Sequence, residues 1–153
     1  MTQPTKEQWK ELAVNLDKMF SDIYLLCDGY YLLYRMERSK NKLVICVYVN
    51  GFMKGEWFGI DDEASEEARR FWRPSIKARY SAKYIKLCEK LYGKRECKKK
   101  GIYDKRTIYY PYWNRPNPII SHLKKTCENI EILDRETYKS GLDKHHAESK
   151  QTN

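Results

Sequence analysis

The sequence contains no long apolar run, no glycine-rich phosphate loop and few of the side chains that carry acid–base chemistry. No stretch approaches the ~20 apolar residues that a membrane helix needs, and the first residues lack the apolar core of a signal peptide. Only three histidines are present, and no nucleophile motif accompanies them. The sequence therefore predicts a cytoplasmic protein that is not an enzyme, holds no cofactor and does not insert into a membrane.

The five cysteines fit neither a disulfide framework nor a zinc site. Their odd number, in a chain without an export signal, predicts reduced thiols. The candidate zinc ligands are Cys88, Cys97, His122 and Cys127. Structural zinc sites usually pair their ligands two to four residues apart. Eight residues separate Cys88 from Cys97, twenty-four lie between Cys97 and His122, and four lie between His122 and Cys127, so the set does not have the usual pairing. The sequence therefore predicts no metal site.

A metal-dependent nuclease is the hypothesis with the least support. Glu96 and Lys98 have the Glu-x-Lys spacing of one broad class of these enzymes, and acids also cluster at residues 61–63. However, acids at 61–63 fit the first turn of a helix, and Glu96 lies in a segment so rich in lysine that the spacing arises by chance. Neither pattern is a specific signal of catalysis.

Several local patterns in the sequence indicate a single α+β domain. A capping box formed by Thr5 and Gln8 precedes apolar residues at helical spacing, which predicts an opening helix. Runs rich in β-branched and aromatic residues then predict a four-stranded antiparallel meander, with strands at residues 23–27, 30–37, 43–49 and 52–58. Asn50-Gly51 is its strongest turn signal. We expect the apolar face of this sheet to pack on the first helix.

The sequence of the second half of the domain predicts further helices and short strands. A helix is expected at residues 75–92, where Tyr80, Tyr84, Leu87 and Leu91 would form its buried stripe. A basic loop at 94–101, a strand at 107–110, a helix at 118–127 and a strand at 130–133 follow. Residues 134–153 contain almost no apolar side chains, so we expect a disordered tail after a domain of residues 1–133.

The positive charge of the protein is concentrated in one segment. Residues 77–106 contain twelve Lys or Arg and three acids, so this segment has a net charge of +9. The net charge of the whole chain is also +9. Nine of these cations are predicted to bind a partner: Arg79, Lys83, Lys86, Lys90, Lys94, Arg95, Lys98, Lys99 and Lys100. A row of cations on a helix suits a phosphate backbone, although lysines on a solvent face are also common in soluble proteins, and an acidic protein surface is an equal alternative.

Aromatic residues follow the basic segment and offer a second binding element. Tyr110, Trp113 and Arg115 are the candidates, because exposed aromatic rings beside a basic groove stack unpaired bases. The alternative is that these rings pack between the prolines and cover the edge of the core.

Four motifs resemble small proteins encoded by bacteriophages and prophages: CDGYY at 27–31, VYVNGFMKGEWF at 47–58, YYPYW at 109–113 and SHLK at 121–124. The resemblance implies an accessory protein that acts by binding, and one class of such proteins, the anti-CRISPR proteins, inhibits host defence. This chain is basic, unlike the DNA-mimicking members of that class. The resulting hypothesis is a non-enzymatic protein that binds nucleic acid or a nucleoprotein complex, with host-defence inhibition by protein contact as the alternative.

Overall fold

The computed structural model describes residues 2–151, and its helices and strands give the α+β class predicted from the sequence. The first helix, α1, spans Lys6–Leu16 and begins at the predicted capping box. The Gln8 backbone N–H donates to Thr5 Oγ1 over 3.2 Å, and the Thr5 N–H donates to Gln8 Oε1 over 2.8 Å. The buried side of α1 consists of Trp9, Leu12 and Leu16.

A five-stranded antiparallel sheet forms the centre of the body. Strands β1 (Ile23–Cys27), β2 (Tyr30–Ser39) and β3 (Lys42–Val49) are consecutive hairpins. The edges are β6 (Tyr112–Trp113), which pairs with β3, and β7 (Ile130–Leu133), which pairs with β1. The order across the sheet is therefore β6-β3-β2-β1-β7. Strand β7 confirms the predicted return of the chain to the sheet.

The fourth strand of the predicted meander is absent from the described chain, so the meander has three strands. Asn50 and Gly51 make the expected tight turn at positive φ, with values of 52° and 85°. Only Phe52 then pairs back, in a single bridge to Val49, and a 3₁₀ turn follows at Gly55–Trp57. The open edge of β3 is taken instead by β6, and the Val47 N–H donates to the Pro111 carbonyl over 3.1 Å. Because that edge is occupied, residues 52–58 have no strand to join.

One face of the sheet is covered by helices and holds the main core. Helix α2 spans Glu66–Phe71, and α5 spans Pro116–Thr126, one proline earlier than predicted. Together with α1 they cover the buried positions of the sheet, as expected from the alternation of the strands. The largest fully buried side chains of this body include Trp72, Tyr34, Phe71, Leu25, Leu32 and Leu123.

Residues 73–110, which we call the arm, contain the second, two-stranded sheet of the structure. Strands β4 (Arg73–Ala78) and β5 (Lys105–Tyr110) pair as a two-stranded antiparallel ribbon, and helices α3 (Ala82–Tyr92) and α4 (Lys94–Lys99) lie between them in the chain. The predicted helix at 75–92 is thus too long, because β5 provides a pairing partner for residues 73–78. The predicted loop at 94–101 is also wrong, since most of it is α4.

The predicted disordered tail is wrong, because residues 135–151 form helix α6 (Arg135–Gln151). Its first turn is capped by Asp134, whose Oδ1 accepts the Thr137 N–H over 2.7 Å. Tyr138 is buried, with its ring centroid 4.8 Å from that of Tyr24. Few apolar residues suffice here because three contact side chains recur every four residues. Tyr138 contacts β1 and β2, and Leu142 and His146 contact the turn at Asn50 and Gly51.

Candidate nucleic-acid interface

The ribbon brings two distant segments together and carries the two helices at its end. The six paired positions run from Arg73 opposite Tyr110 to Ala78 opposite Lys105. One more backbone bond extends the ladder, from the Arg79 N–H to the Asp104 carbonyl over 3.0 Å. The chain between these ends forms α3 and α4, which therefore lie at the end of the ribbon that is away from Arg73 and Tyr110.

A glycine joins α3 to α4. Gly93 has φ of 80°, a conformation that a side chain would strain, and it closes α3 by donating its N–H to the Glu89 carbonyl over 2.9 Å. Its own carbonyl accepts the Cys97 N–H over 3.1 Å in the first turn of α4. The tight connection folds the two helices against each other over a small core of Cys88, Cys97 and Ile102. Burial raises the pKa of the Cys97 thiol, which keeps it in its neutral form.

All nine cations predicted to bind a partner are exposed and lie in the arm. Arg79 was predicted to lie on this helix. It lies instead on the turn that precedes α3, so the helical row begins at Lys83. Lys83, Lys86 and Lys90 share one side of α3 at the spacing of a helix. The remaining members belong to α4 or flank it: Lys94, Arg95, Lys98, Lys99 and Lys100.

None of these nine cations forms an ion pair with any side chain of residues 2–151. The four ion pairs in that range join Asp22 to Arg35, Lys54 to Glu56, and Arg70 to both Asp28 and Glu66, all outside the arm. Within the arm, Glu89 accepts a hydrogen bond from the Tyr103 hydroxyl over 3.0 Å. The arm therefore presents a positive field that its own side chains do not neutralise.

The apolar stripe predicted for this helix is not buried. Tyr84, Leu87 and Leu91 are 44%, 52% and 66% exposed, whereas Cys88 is buried and Ile85 packs on the small core. Helix α3 is therefore rotated relative to the expectation, since it packs on α4 rather than on the main core. The cationic row and the apolar stripe are consequently both on the surface.

At the other end of the ribbon, two cations and two tyrosines form a cluster that the sequence did not predict: Arg73, Lys77, Tyr110 and Tyr112. The Arg73 guanidinium carbon lies 4.9 Å from the ring centroid of Tyr110 and 5.4 Å from that of Tyr112. Lys77 Nζ donates to the Tyr110 hydroxyl over 2.9 Å. Such contacts fix the rings in place. Arg73 was missed because its proximity to Tyr110 depends on strand pairing across 37 positions of the chain.

The other two predicted residues lie outside the arm. Trp113 is buried in the main core, where its indole N–H donates to the Phe71 carbonyl over 3.4 Å, so it presents no face to a base. Its burial matches the alternative in which these aromatic rings cover the core. Arg115 is exposed and immediately precedes α5.

The residues considered for metal chemistry are not gathered into a site. Cys88 and Cys97 belong to the small core of the arm, whereas Cys127 belongs to the main core. His122 Nε2 lies 2.7 Å from the Arg70 carbonyl, and its burial lowers the pKa of the imidazole. Asp61 accepts the Thr107 N–H over 2.7 Å, which attaches β5 to the body. Within residues 2–151, no three His, Cys, Asp or Glu side chains are placed to hold a metal ion.

Comparisons with known proteins give no match. No protein-family model fits the chain, no curated protein is significantly similar in sequence, and no solved structure is significantly similar in fold. Among the described helices, none is both long enough and apolar enough to cross a membrane.

Proposed function

We propose that this protein binds the phosphate backbone of a nucleic acid, free or within a nucleoprotein complex, through the cations of the arm. The observation that carries the proposal is the set of nine exposed Lys and Arg side chains that make no ion pair with residues 2–151. Cations left without acidic partners gain most from an anionic ligand. The rest of the chain, outside residues 77–106, has as many acids as bases, so it adds no net charge to that of the arm.

The physical basis is counterion release. Each phosphate neutralised by a Lys or Arg frees condensed cations, and the binding constant then falls steeply as salt increases. Lys83 and Lys90 are seven residues apart on α3, so their Cα atoms are separated by about 10 Å along the helix axis, at a rise of about 1.5 Å per residue. Contacts of this kind position a nucleic acid without reading its sequence.

The tyrosines at the base of the ribbon extend the proposed interface. Tyr110 and Tyr112 have ring centroids 5.6 Å apart, and both rings are partly exposed. Arg73 and Lys77 contact them. An unpaired base stacked on such a ring contributes roughly 1–3 kcal/mol with little preference for its identity. The proposed interface therefore has a phosphate-binding part on α3 and α4 and a stacking part on Tyr110 of the ribbon and Tyr112 of the neighbouring strand β6.

The test is a charge-reversal variant in which Arg79, Lys83, Lys86 and Lys90 are all replaced by Glu. We expect binding to labelled single- and double-stranded DNA and RNA, measured by gel shift or anisotropy at increasing salt, to weaken on the order of 100-fold. For duplex DNA, the slope of log K against log salt should fall by roughly 3 to 4, because four phosphate contacts are lost.

The matched control reverses four exposed lysines of the body: Lys6, Lys10, Lys18 and Lys125. It changes the net charge by the same amount and should retain most of the affinity, because these lysines lie outside the arm. The proposal is wrong if both variants lose affinity equally, or if the arm variant binds as the wild type does while its circular dichroism is unchanged.

A second candidate function is inhibition of a host-defence effector by protein contact, in a phage or prophage accessory protein. The exposed apolar stripe of α3 favours it, since a phosphate backbone makes no use of leucine side chains. This function predicts that expression of the protein protects an infecting phage and that the protein co-purifies with an effector complex. A wild-type protein that gives neither result would remove this candidate.

A further inference from the structure

Helix α3 has a second exposed face beside its lysines. Tyr84, Leu87 and Leu91 are at positions i, i+3 and i+7, which places them in one line along the helix. All three are exposed, and Tyr92, in the last turn, is also 51% exposed. We call the line of Tyr84, Leu87 and Leu91 the apolar stripe. It lies beside the packed side of the helix, since the Tyr84 ring centroid is 5.0 Å from that of Tyr80, which packs on the small core of the arm.

This grouping differs from the exposed apolar residues of the body. Val14, Phe20 and Leu43 are exposed there, but they belong to different elements, and isolated exposed apolar residues are normal in soluble proteins. On α3 the exposed apolar side chains follow one another on successive turns. A contiguous apolar surface bordered by polar groups is typical of an interaction site.

The border of the apolar stripe is positively charged. Lys83, Lys90 and Lys94 line the same groove as Tyr84 and Leu87. Near the C-terminal end of α3, Lys100 Nζ lies 4.1 Å from the ring centroid of Tyr92. The nearby acid, Glu89, accepts a hydrogen bond from Tyr103. A second copy of α3 docked on the stripe would bring lysine against lysine, so charge complementarity favours an acidic occupant.

The width of the apolar stripe distinguishes among acidic occupants. A helix that lies in a membrane interface embeds a broad apolar face, whereas a single line at i, i+3 and i+7 is the narrow seam that packs against one partner helix. Nucleic acid offers phosphates to the lysines but no aliphatic surface for Leu87 and Leu91. A helix with an apolar seam and acidic flanks matches both features.

We propose that the apolar stripe of α3 binds an acidic amphipathic helix of a partner protein. The apolar seam of the partner packs on Tyr84, Leu87 and Leu91, and its flanking Asp and Glu side chains pair with Lys83, Lys90 and Lys94. This interaction does not require nucleic-acid binding. Because Lys83, Lys90 and Lys94 also belong to the cations proposed to bind phosphate, the partner helix and a nucleic acid would compete for these three. The interaction adds a protein-binding surface to an arm whose cations remain available beyond the stripe.

The experiment selects binders from a displayed library of helical peptides with random surface positions, using the full chain as bait. We expect enriched peptides to have apolar residues at i, i+3 or i+4, and i+7, flanked by Asp or Glu. A synthetic peptide of that consensus should lose at least about 10-fold in affinity when Leu87 and Leu91 are both replaced by Ser. The matched control is Ile76→Ser, which removes a 70% exposed apolar side chain of the ribbon and should bind as the wild type does.

The outcomes separate this inference from the proposed function. The Leu87→Ser, Leu91→Ser variant keeps every cation, so its nucleic-acid affinity should be unchanged while its peptide affinity falls. The inference is overturned if no acidic amphipathic consensus is enriched or if the double variant still binds the consensus peptide. It is also overturned if the stripe mediates self-association in sedimentation experiments, or if the double substitution abolishes binding to phosphatidylserine vesicles while the peptide shows no binding.

Discussion

The body and the arm treat apolar surface and charge in opposite ways. In the body, bulky side chains such as Trp72, Phe71 and Leu123 are fully buried, and Asp22 and Asp28 are paired with arginines at 2.9 Å and 2.6 Å. In the arm, the buried core consists of three small or medium residues, whereas leucines, tyrosines and eleven cations are exposed. The body buries its largest apolar side chains and pairs these two carboxylates, whereas the arm leaves most of its cations and its apolar stripe on the surface.

The pairing of the two body carboxylates also lowers their pKa values. Hydrogen bonds from the Arg35 guanidinium lower the pKa of Asp22 below its usual value of 3.8. Partial burial acts to raise the pKa of Asp28, but the backbone N–H groups of Asn129 and Glu128 and the side chain of Arg70 together lower it. These paired carboxylates stabilise the body, whereas charge in the arm is available for binding.

The largest expected effect tests whether stability resides in the body. Phe71→Ala removes a fully buried ring that contacts Tyr30, with centroids 5.1 Å apart, and should lower the free energy of unfolding by about 3–5 kcal/mol. Leu91→Ala, in the exposed stripe, should change it by less than about 0.5 kcal/mol. Urea denaturation followed by circular dichroism measures both. Equal losses would contradict the division between body and arm.

A smaller effect tests whether the arm opens on its own. Ile102→Ala empties part of the core that Ile102 shares with Cys88 and Cys97, and should reduce the local opening free energy by about 2 kcal/mol. Hydrogen exchange followed by mass spectrometry should then show lost protection in α3 and α4, with that of β1 to β3 retained. A uniform loss across the sheet would show that the arm and the body unfold as one unit.

The docking of α6 provides a comparison within the body. Tyr138→Ala removes the buried ring that contacts Tyr24 and Tyr31. This change should lower the free energy of unfolding by roughly 1–2 kcal/mol. Because α6 carries few apolar residues, we expect amide protection to be lost along residues 135–151 while the sheet stays protected. Ser140→Ala, at an exposed position of the same helix, is the control and should leave protection unchanged.

The smallest expected effect concerns the paired carboxylates. Asp28→Asn should destabilise the body by about 1–2 kcal/mol at neutral pH, because a carboxylate that accepts three hydrogen bonds is replaced. Since the folded pKa of Asp28 lies below 3.8, the wild type keeps this stabilisation above pH 3.8 and loses it as the pH falls through the folded pKa.

The measurement is the urea midpoint between pH 6 and pH 2. The Asp28→Asn variant should show a flatter decline than the wild type, and Asp62→Asn, at an exposed position in the 3₁₀ turn Asp61–Glu63, should follow the wild-type curve. A decline in Asp28→Asn as steep as that of the wild type would assign the acid sensitivity to other groups.

Local patterns predicted the local structure well. The capping box at Thr5, the Asn50-Gly51 turn and the three consecutive strands are all present, because each depends on residues close together in the chain. The failures are long-range. Residues 73–78 form a strand because they meet residues 105–110, and residues 52–58 do not because β6 occupies the edge of β3. The candidate site divides in the same way, since sequence located the cations but not the contact of Arg73 with Tyr110.

The sequence by itself determined where the charge lies, because a count of Lys and Arg against Asp and Glu needs no folded structure. It also determined the helical spacing of Tyr84, Leu87 and Leu91 and that of the lysines beside them. Only the tertiary structure decided that neither of these two rows is buried. Helix α3 packs on α4 through Cys88 and Ile85, so both rows face outward, since a helix has several faces and its packing partner selects the one that leaves water.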